Sequence, residues 1–151
     1  MSRRPLRPLN EMTITFPAHS ENERFARLAV SGFLSQLDPN IGELSDIKTA
    51  VSEAVTNAIV HGYRETAGEV LMQVRIFEEG HISIKIQDKG CGMEDVEQAM
   101  TPLYTTSPEE ERAGLGFTIM ETFMERVRVK SKPGKGTTVL LERTIKGKQR
   151  I

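Results

Sequence analysis

The sequence holds a single cysteine, no tryptophan and no long apolar run, and each shortage closes off a class of protein. Cys91 alone cannot form an intramolecular disulfide, so nothing asks for an oxidising compartment. No apolar stretch approaches the ~20 residues of a membrane span, and the N-terminus lacks the apolar core of a signal peptide. A cytoplasmic protein with no membrane partner is therefore expected. The formal net charge of −1 supplies no field to draw a polyanion, so no direct nucleic-acid partner is expected either. Basic residues gather at both ends (Arg3, Arg4 and Arg7; Lys146, Lys148 and Arg150), where they read as solvated tails. A Gly-x-x-x-x-Gly-Lys-Ser/Thr signature is also missing, which excludes a P-loop.

The remaining composition is ordinary for a globular chain: 38% apolar and 27% charged over 151 residues, enough for one core. We expect a tail over 1–9, a single domain over 10–145 and a basic tail over 146–151. Met12 to Phe16 alternates apolar and polar residues, as a half-buried strand does. Ser20 and Glu23 have capping-box spacing ahead of a helix with Phe25, Leu28, Ala29 and Phe33 at helical intervals, ended by Asp38-Pro39-Asn40. A second helix runs from about Glu43 to His61. Two strands follow, Val70 to Ile76 and Ile82 to Ile86, around a turn at Glu79-Gly80.

Residues 88–116 break the pattern. Two glycine clusters enclose a short helical piece (Glu94 to Met100) and a stretch with Pro102, Pro108 and three glutamates, a length typical of a lid. A helix is expected from Phe117 to Met124, starting directly behind Gly114-Leu115-Gly116. A hairpin through Val127 and Val129, then Thr137 to Thr144, closes the chain. Strands and crossover helices do not alternate, so the order gives an α/β (α+β) two-layer sandwich, with a mixed or antiparallel sheet covered by helices on one face.

Three elements carry chemistry. Glu53 and Asn57 are four apart on the second helix and project about 40° from each other, although on spacing alone the solvated side of an amphipathic helix reads the same way. Asp88-x-Gly90-x-Gly92 follows a strand, where a carboxylate can accept from an adenine amino group and glycines let backbone approach the base. Gly114-x-Gly116 ahead of a helix offers free N–H groups to phosphates, with Arg112 suited to a phosphate oxygen.

Ser-Glu-Ala-Val-Thr-Asn-Ala-Ile-Val-His-Gly (52–62) resembles the N-box of the GHKL superfamily of ATPases and kinases. The 88–92 run is similar to its first glycine box, 114–116 to its second, and Gly136-Thr137-Thr138 to its terminal Gly-Thr box. From Glu11 onward the chain further resembles the small anti-sigma serine kinases of sporulation. The strings Asn22-Glu23-x-Phe25-Ala26-Arg27, Gln36 to Pro39, Glu53 to Ile59, Pro102 to Thr106 and Gly116 to Glu121 carry that likeness.

The resemblance implies a GHKL fold with a flexible ATP lid, binding ATP or ADP with Mg²⁺. It implies that Glu53 is the catalytic carboxylate, that Asn57 holds Mg²⁺, and that Asp88, Gly90, Gly92 and Thr137 read adenine. Thr105, Thr106, Arg112, Gly114, Leu115, Gly116 and Phe117 would belong to the lid and phosphate cradle, and Glu23 and Arg27 to the partner surface. The implied partners are sigma F, an anti-anti-sigma factor phosphorylated on serine, and a second copy of the chain in a homodimer. A sister kinase serving a stress sigma factor and a non-catalytic ATP-gated binding module are the alternatives. A sensor histidine kinase or a gyrase-type ATPase is disfavoured, because neither a helical dimerisation domain nor a transducer accompanies the motifs. His61 and Cys91 are expected to be packing and filler residues.

Overall fold

The computed structural model describes residues 7–62, 68–93, 95–100 and 108–147. Five strands form one sheet: β1 (Asn10–Pro17), β2 (Glu69–Ile76), β3 (His81–Asp88), β4 (Arg126–Lys132) and β5 (Gly136–Thr144). Their order is β1-β2-β3-β5-β4, and every neighbouring pair is antiparallel, so of the two expected sheets the fully antiparallel one is realised. Strand periodicity sends Val70, Met72, Val74 and Ile76 to one face with Ile82, Ile84 and Ile86, and with Val139 and Leu141 of β5.

Helices α1 (Glu21–Leu34), α2 (Ile41–Thr56) and α4 (Pro108–Phe123), with the short α3 (Val96–Met100), pack as the second layer. The apolar stripe of α2 (Ile47, Ala50, Val51, Ala54 and Val55) is buried against the sheet, and its last turn widens into a π-helical segment over Asn57–Gly62. Among the described residues no helix is long and apolar enough to cross a membrane.

Two local expectations need correction. The capping box falls not at Ser20, whose side chain caps nothing, but at Asn40. There Asn40 Oδ1 accepts the Glu43 N–H at 2.8 Å, and Glu43 Oε1 accepts the Asn40 N–H at 3.1 Å. Ser20 already has helical dihedrals, which turn its hydroxyl away from the first free N–H groups, whereas Asn40 is extended as a cap requires. The second correction is that the 114–116 glycine pair does not precede a helix but lies inside α4, which begins at Pro108. Proline at a first helical position and the glutamates behind it favour initiation there, outweighing the glycines as punctuation. Of the expected lid, 101–107 lie outside the described residues.

Glu43 does more than cap. It is buried, and its carboxylate also accepts the backbone N–H groups of Lys146 (2.6 Å) and Gly147 (3.0 Å), clamping the segment after β5 across the start of α2. Burial pushes its pKa up, but the N–H donors from Lys146, Asn40 and Gly147, with Arg143 nearby, outweigh that and hold it below the ordinary value.

Candidate functional site

The carboxyl end of β3 delivers Asp88 to the edge of the core, where it is only 5% exposed. The chain turns immediately, and Asp88 Oδ1 accepts the Gly90 N–H at 2.9 Å. Burial raises the Asp88 pKa, while hydrogen bonds from the backbone of Gly90 and Thr137 partly offset the rise. Gly92 and Gly136 make the turn possible. Both have positive φ, and a Cβ on either would collide with backbone, that of Lys132 for Gly92 and that of Asp88 for Gly136.

Ser131, which sequence reading passed over, ties this turn to the last hairpin. Its hydroxyl accepts the Met93 N–H at 2.8 Å, donates to the Gly136 carbonyl at 3.0 Å and lies 2.8 Å from the Thr137 hydroxyl. The one available signal was a polar residue in the inward register of β4, after Val127 and Val129.

Across from this turn stands the end of α2. Glu53 and Asn57 are both half-buried, so their stripe is not a solvated helix face. The Asn57 amide nitrogen is fully enclosed and has no hydrogen-bond partner, a costly condition that marks a group awaiting one. Burial raises the Glu53 pKa, and the negative charge of Glu23 on α1 raises it further. Glu23 itself contacts Arg27 at 2.6 Å, an ion pair without the alignment of a hydrogen bond. Phe25 and Leu28, on the same helix, are more than half exposed.

Helix α4 closes the third side. Phe117 is buried, and Gly116 lies against α2 so closely that a Cβ there would sit 3.0 Å from Glu53 Oε2 and 3.3 Å from Asn57 Nδ2. Asn57, Asp88, Gly92, Phe117 and Thr137 line one small cavity, of about 50 Å³, whose other walls include Ile86, Met93 and Val139. Five residues from four separate sequence motifs thus meet at one opening. The cavity is well below the ~300–1,000 Å³ of a pocket that encloses a small molecule. Gly90 does not line the cavity but donates its N–H to Asp88, and Leu115 is exposed on α4. Thr105, Thr106 and the side chains of His61 and Arg112 lie outside the described residues.

Residues 16–143 match the histidine kinase-like ATPase domain family. The chain is 53% identical over 138 residues to the anti-sigma F factor of Clostridium novyi, covering 91% of this chain and 96% of that protein. It is 50% identical over 143 residues to the anti-sigma F factor of Pasteuria penetrans, covering 94% and 95%. Among solved structures, the RsbU and RsbW domains of a Mycobacterium tuberculosis protein superpose with a TM-score of 0.67 at 21% identity, over 91% of this chain and 32% of that one. The SiaB-SiaC complex of Pseudomonas aeruginosa gives 0.60 at 15% identity, over 91% and 90%. At those identities the structures establish the shared fold and no more. The chain is a histidine kinase-like ATPase domain of the GHKL type; within that class it belongs to the anti-sigma F factor family.

Proposed function

We propose that this protein is an ATP-dependent serine kinase that also sequesters a sporulation sigma factor, sigma F, from RNA polymerase. The observation that carries the reading is the convergence of Asn57, Asp88, Gly92, Phe117 and Thr137 on one cavity, with Glu53 beside it. In this reading Asp88 accepts from the adenine amino group, Gly92 and Thr137 shape the base slot, and the orphaned amide of Asn57 finds its partner in the triphosphate. Gly114 and Gly116 permit close approach of phosphate oxygens once the start of α4 opens, with Thr105, Thr106 and Arg112 completing the cradle.

A divalent cation fits this donor set in one way. Among the described residues no group of three acidic, histidine or cysteine side chains could hold a metal. Mg²⁺ suits such a site, because it keeps most of its waters and binds through one or two protein groups plus substrate phosphates. Asn57 is the residue that would hold it, and bound there it would offset charge on the transferring phosphoryl.

Glu53 then acts on the attacking hydroxyl. The substrate serine oxygen bonds to the terminal phosphorus, the bond to the leaving ADP oxygen breaks, and the serine proton passes to the Glu53 carboxylate. A raised pKa makes Glu53 a stronger base, provided that it is ionised at the working pH. The outer surface of α1, with the Glu23–Arg27 pair and the exposed Phe25 and Leu28, serves the protein partners in this reading. The functional unit is a cytoplasmic homodimer. The test is transfer of labelled terminal phosphate from ATP to a purified anti-anti-sigma protein, run beside a sigma F binding titration. Serine labelling together with nucleotide-dependent sigma capture is expected; neither activity in a folded, ATP-binding preparation overturns the proposal.

A further inference from the structure

Strand β4 is a terminal strand of the sheet, and its side chains divide sharply between its two faces. Val127, Val129 and Ser131 turn inward, opposite Leu141, Val139 and Thr137. Every outward position is a cation: Arg126, Arg128, Lys130 and Lys132, all exposed. Alternate residues on a strand are about 6.6 Å apart, so four positive charges stand in a straight, evenly spaced row. Lys85 of β3 extends the middle of the row, because it shares a cross-strand line with Leu140 and Arg128. The acid opposite the row is Glu142, facing Arg126, and among the described residues none of the four cations is in an ion pair.

Such a row raises the self-energy of the fold through like-charge repulsion, in a chain whose net charge is −1. Cations on edge strands do protect against edge-to-edge aggregation. That accounts poorly for this row, because the opposite edge strand, β1, places Glu11, Thr13 and Thr15 on the corresponding face and carries no cation there.

A groove of about 450 Å³ runs along the β4 side of the sheet, lined by Val96, Val129, Lys130, Ser131, Lys132 and Lys135, among others. Its wall is therefore part apolar and part cationic. We infer that β4 is a docking edge for an extended acidic segment of a partner protein, added as a sixth strand with acidic and apolar side chains in alternation. Acidic residues two apart would match the spacing of the cations, and the intervening apolar residues would meet Val96 and Val129. Pairing along a sheet edge that no further strand covers among the described residues supplies main-chain hydrogen bonds in register, one of the recurring ways an extended peptide is recognised. Single-stranded nucleic acid fits less well, because this face presents no aromatic side chain among the described residues on which bases could stack. A membrane surface fits less well too, because among the described residues the apolar side chains on this face are Leu71 and Leu140, both partly buried, with no aromatic to insert. Three strands separate β4 from β1, so this edge is distinct from the β1 edge, while its Ser131 end adjoins the 88–93 turn.

The test uses the full chain and a fluorescein-labelled nonapeptide of alternating Glu and Val, read by anisotropy in low salt. A nonapeptide of the same composition with its glutamates in one block, a thymidine oligonucleotide and phosphatidylserine vesicles are the comparison probes. Saturable binding of the alternating peptide is expected, at least about tenfold tighter than the block peptide, and weakened about tenfold or more by Arg128→Glu with Lys130→Glu. The double variant should melt no lower than the wild type, since it relieves the repulsion within the row, and should keep its ATP affinity, since neither residue lines the nucleotide cavity. Should it misfold, Arg128→Gln with Lys130→Gln takes its place. Equal binding of the two peptides, indifference to the charge changes, or tighter binding of the oligonucleotide or the vesicles overturns the inference.

Discussion

Gly116 of α4 rests directly on the Glu53 carboxylate of α2, with room for a hydrogen but little for a methyl group. The neighbouring atoms are the far end of a flexible side chain, so an added Cβ displaces them by a few tenths of an ångström without breaking the core. Gly116→Ala should therefore keep or slightly raise thermal stability, since Ala is favoured over Gly by about 0.5–1 kcal/mol inside a helix. Misplacing Glu53 and Asn57 should lower phosphoryl transfer by about tenfold to a hundredfold. Melting curves and single-turnover transfer on one preparation would show the two effects moving apart. Unaltered transfer would remove Gly116 from the site.

Asp88→Asn should weaken ATP and ADP alike, by roughly tenfold or more, because a donor then faces the adenine amino group. Stability should move the other way. The folded-state pKa of Asp88 is raised, so its contribution to stability is complete below the unfolded pKa and is lost as pH rises through the folded one. The nucleotide-free asparagine variant should match the wild type in acid and exceed it at neutral pH. Calorimetry gives the first result, and melting curves at several pH values give the second.

Glu53→Gln should abolish transfer, by about 10²–10⁴-fold, while sparing ATP binding and sigma capture. The companion variant Glu23→Gln removes the charge that helps to raise the Glu53 pKa. Its pH–rate profile should keep its shape, with the ascending limb displaced toward lower pH. A profile that stays in place would mean that Glu23 and Glu53 do not communicate.

The Glu43 clamp predicts a stability loss unrelated to chemistry. Glu43→Ala removes the charged acceptor of the Lys146 and Gly147 N–H groups, two part-buried hydrogen bonds, at a cost of about 1–3 kcal/mol in urea unfolding. Because the folded pKa is lowered, the wild-type contribution is present above the unfolded pKa and fades as pH falls through the folded one. The gap between wild type and variant should narrow below about pH 4.

Much of this arrangement was legible in the chain itself. Alternation in 70–76 and 82–86 and the stripe from Ile47 to Ala54 announced the buried faces, because periodicity reports burial directly. Asp88 and Asn57 were singled out by the resemblance of their boxes to the GHKL pattern, since on helix spacing alone Asn57 reads equally well as part of a solvated face. Glu43 and Ser131 were not, since their partners lie far along the chain and no local pattern encodes them. The start of α4 was misread because a glycine pair punctuates many chains, yet here the helix passes through it.

The pairing of Asp88 with Thr137 also sets an order of events in synthesis and folding. These residues are roughly fifty positions apart, and closing a loop of that length costs conformational entropy that no local contact offsets beforehand. The β2–β3 hairpin can form as soon as it is made, but the carboxylate at its end acquires its neighbour only when β5 slots between β3 and β4. A chain that has not yet made β5 therefore lacks the Thr137 and Val139 wall of the cavity. Stabilisation by a ligand in that cavity thus requires a chain that reaches through β5.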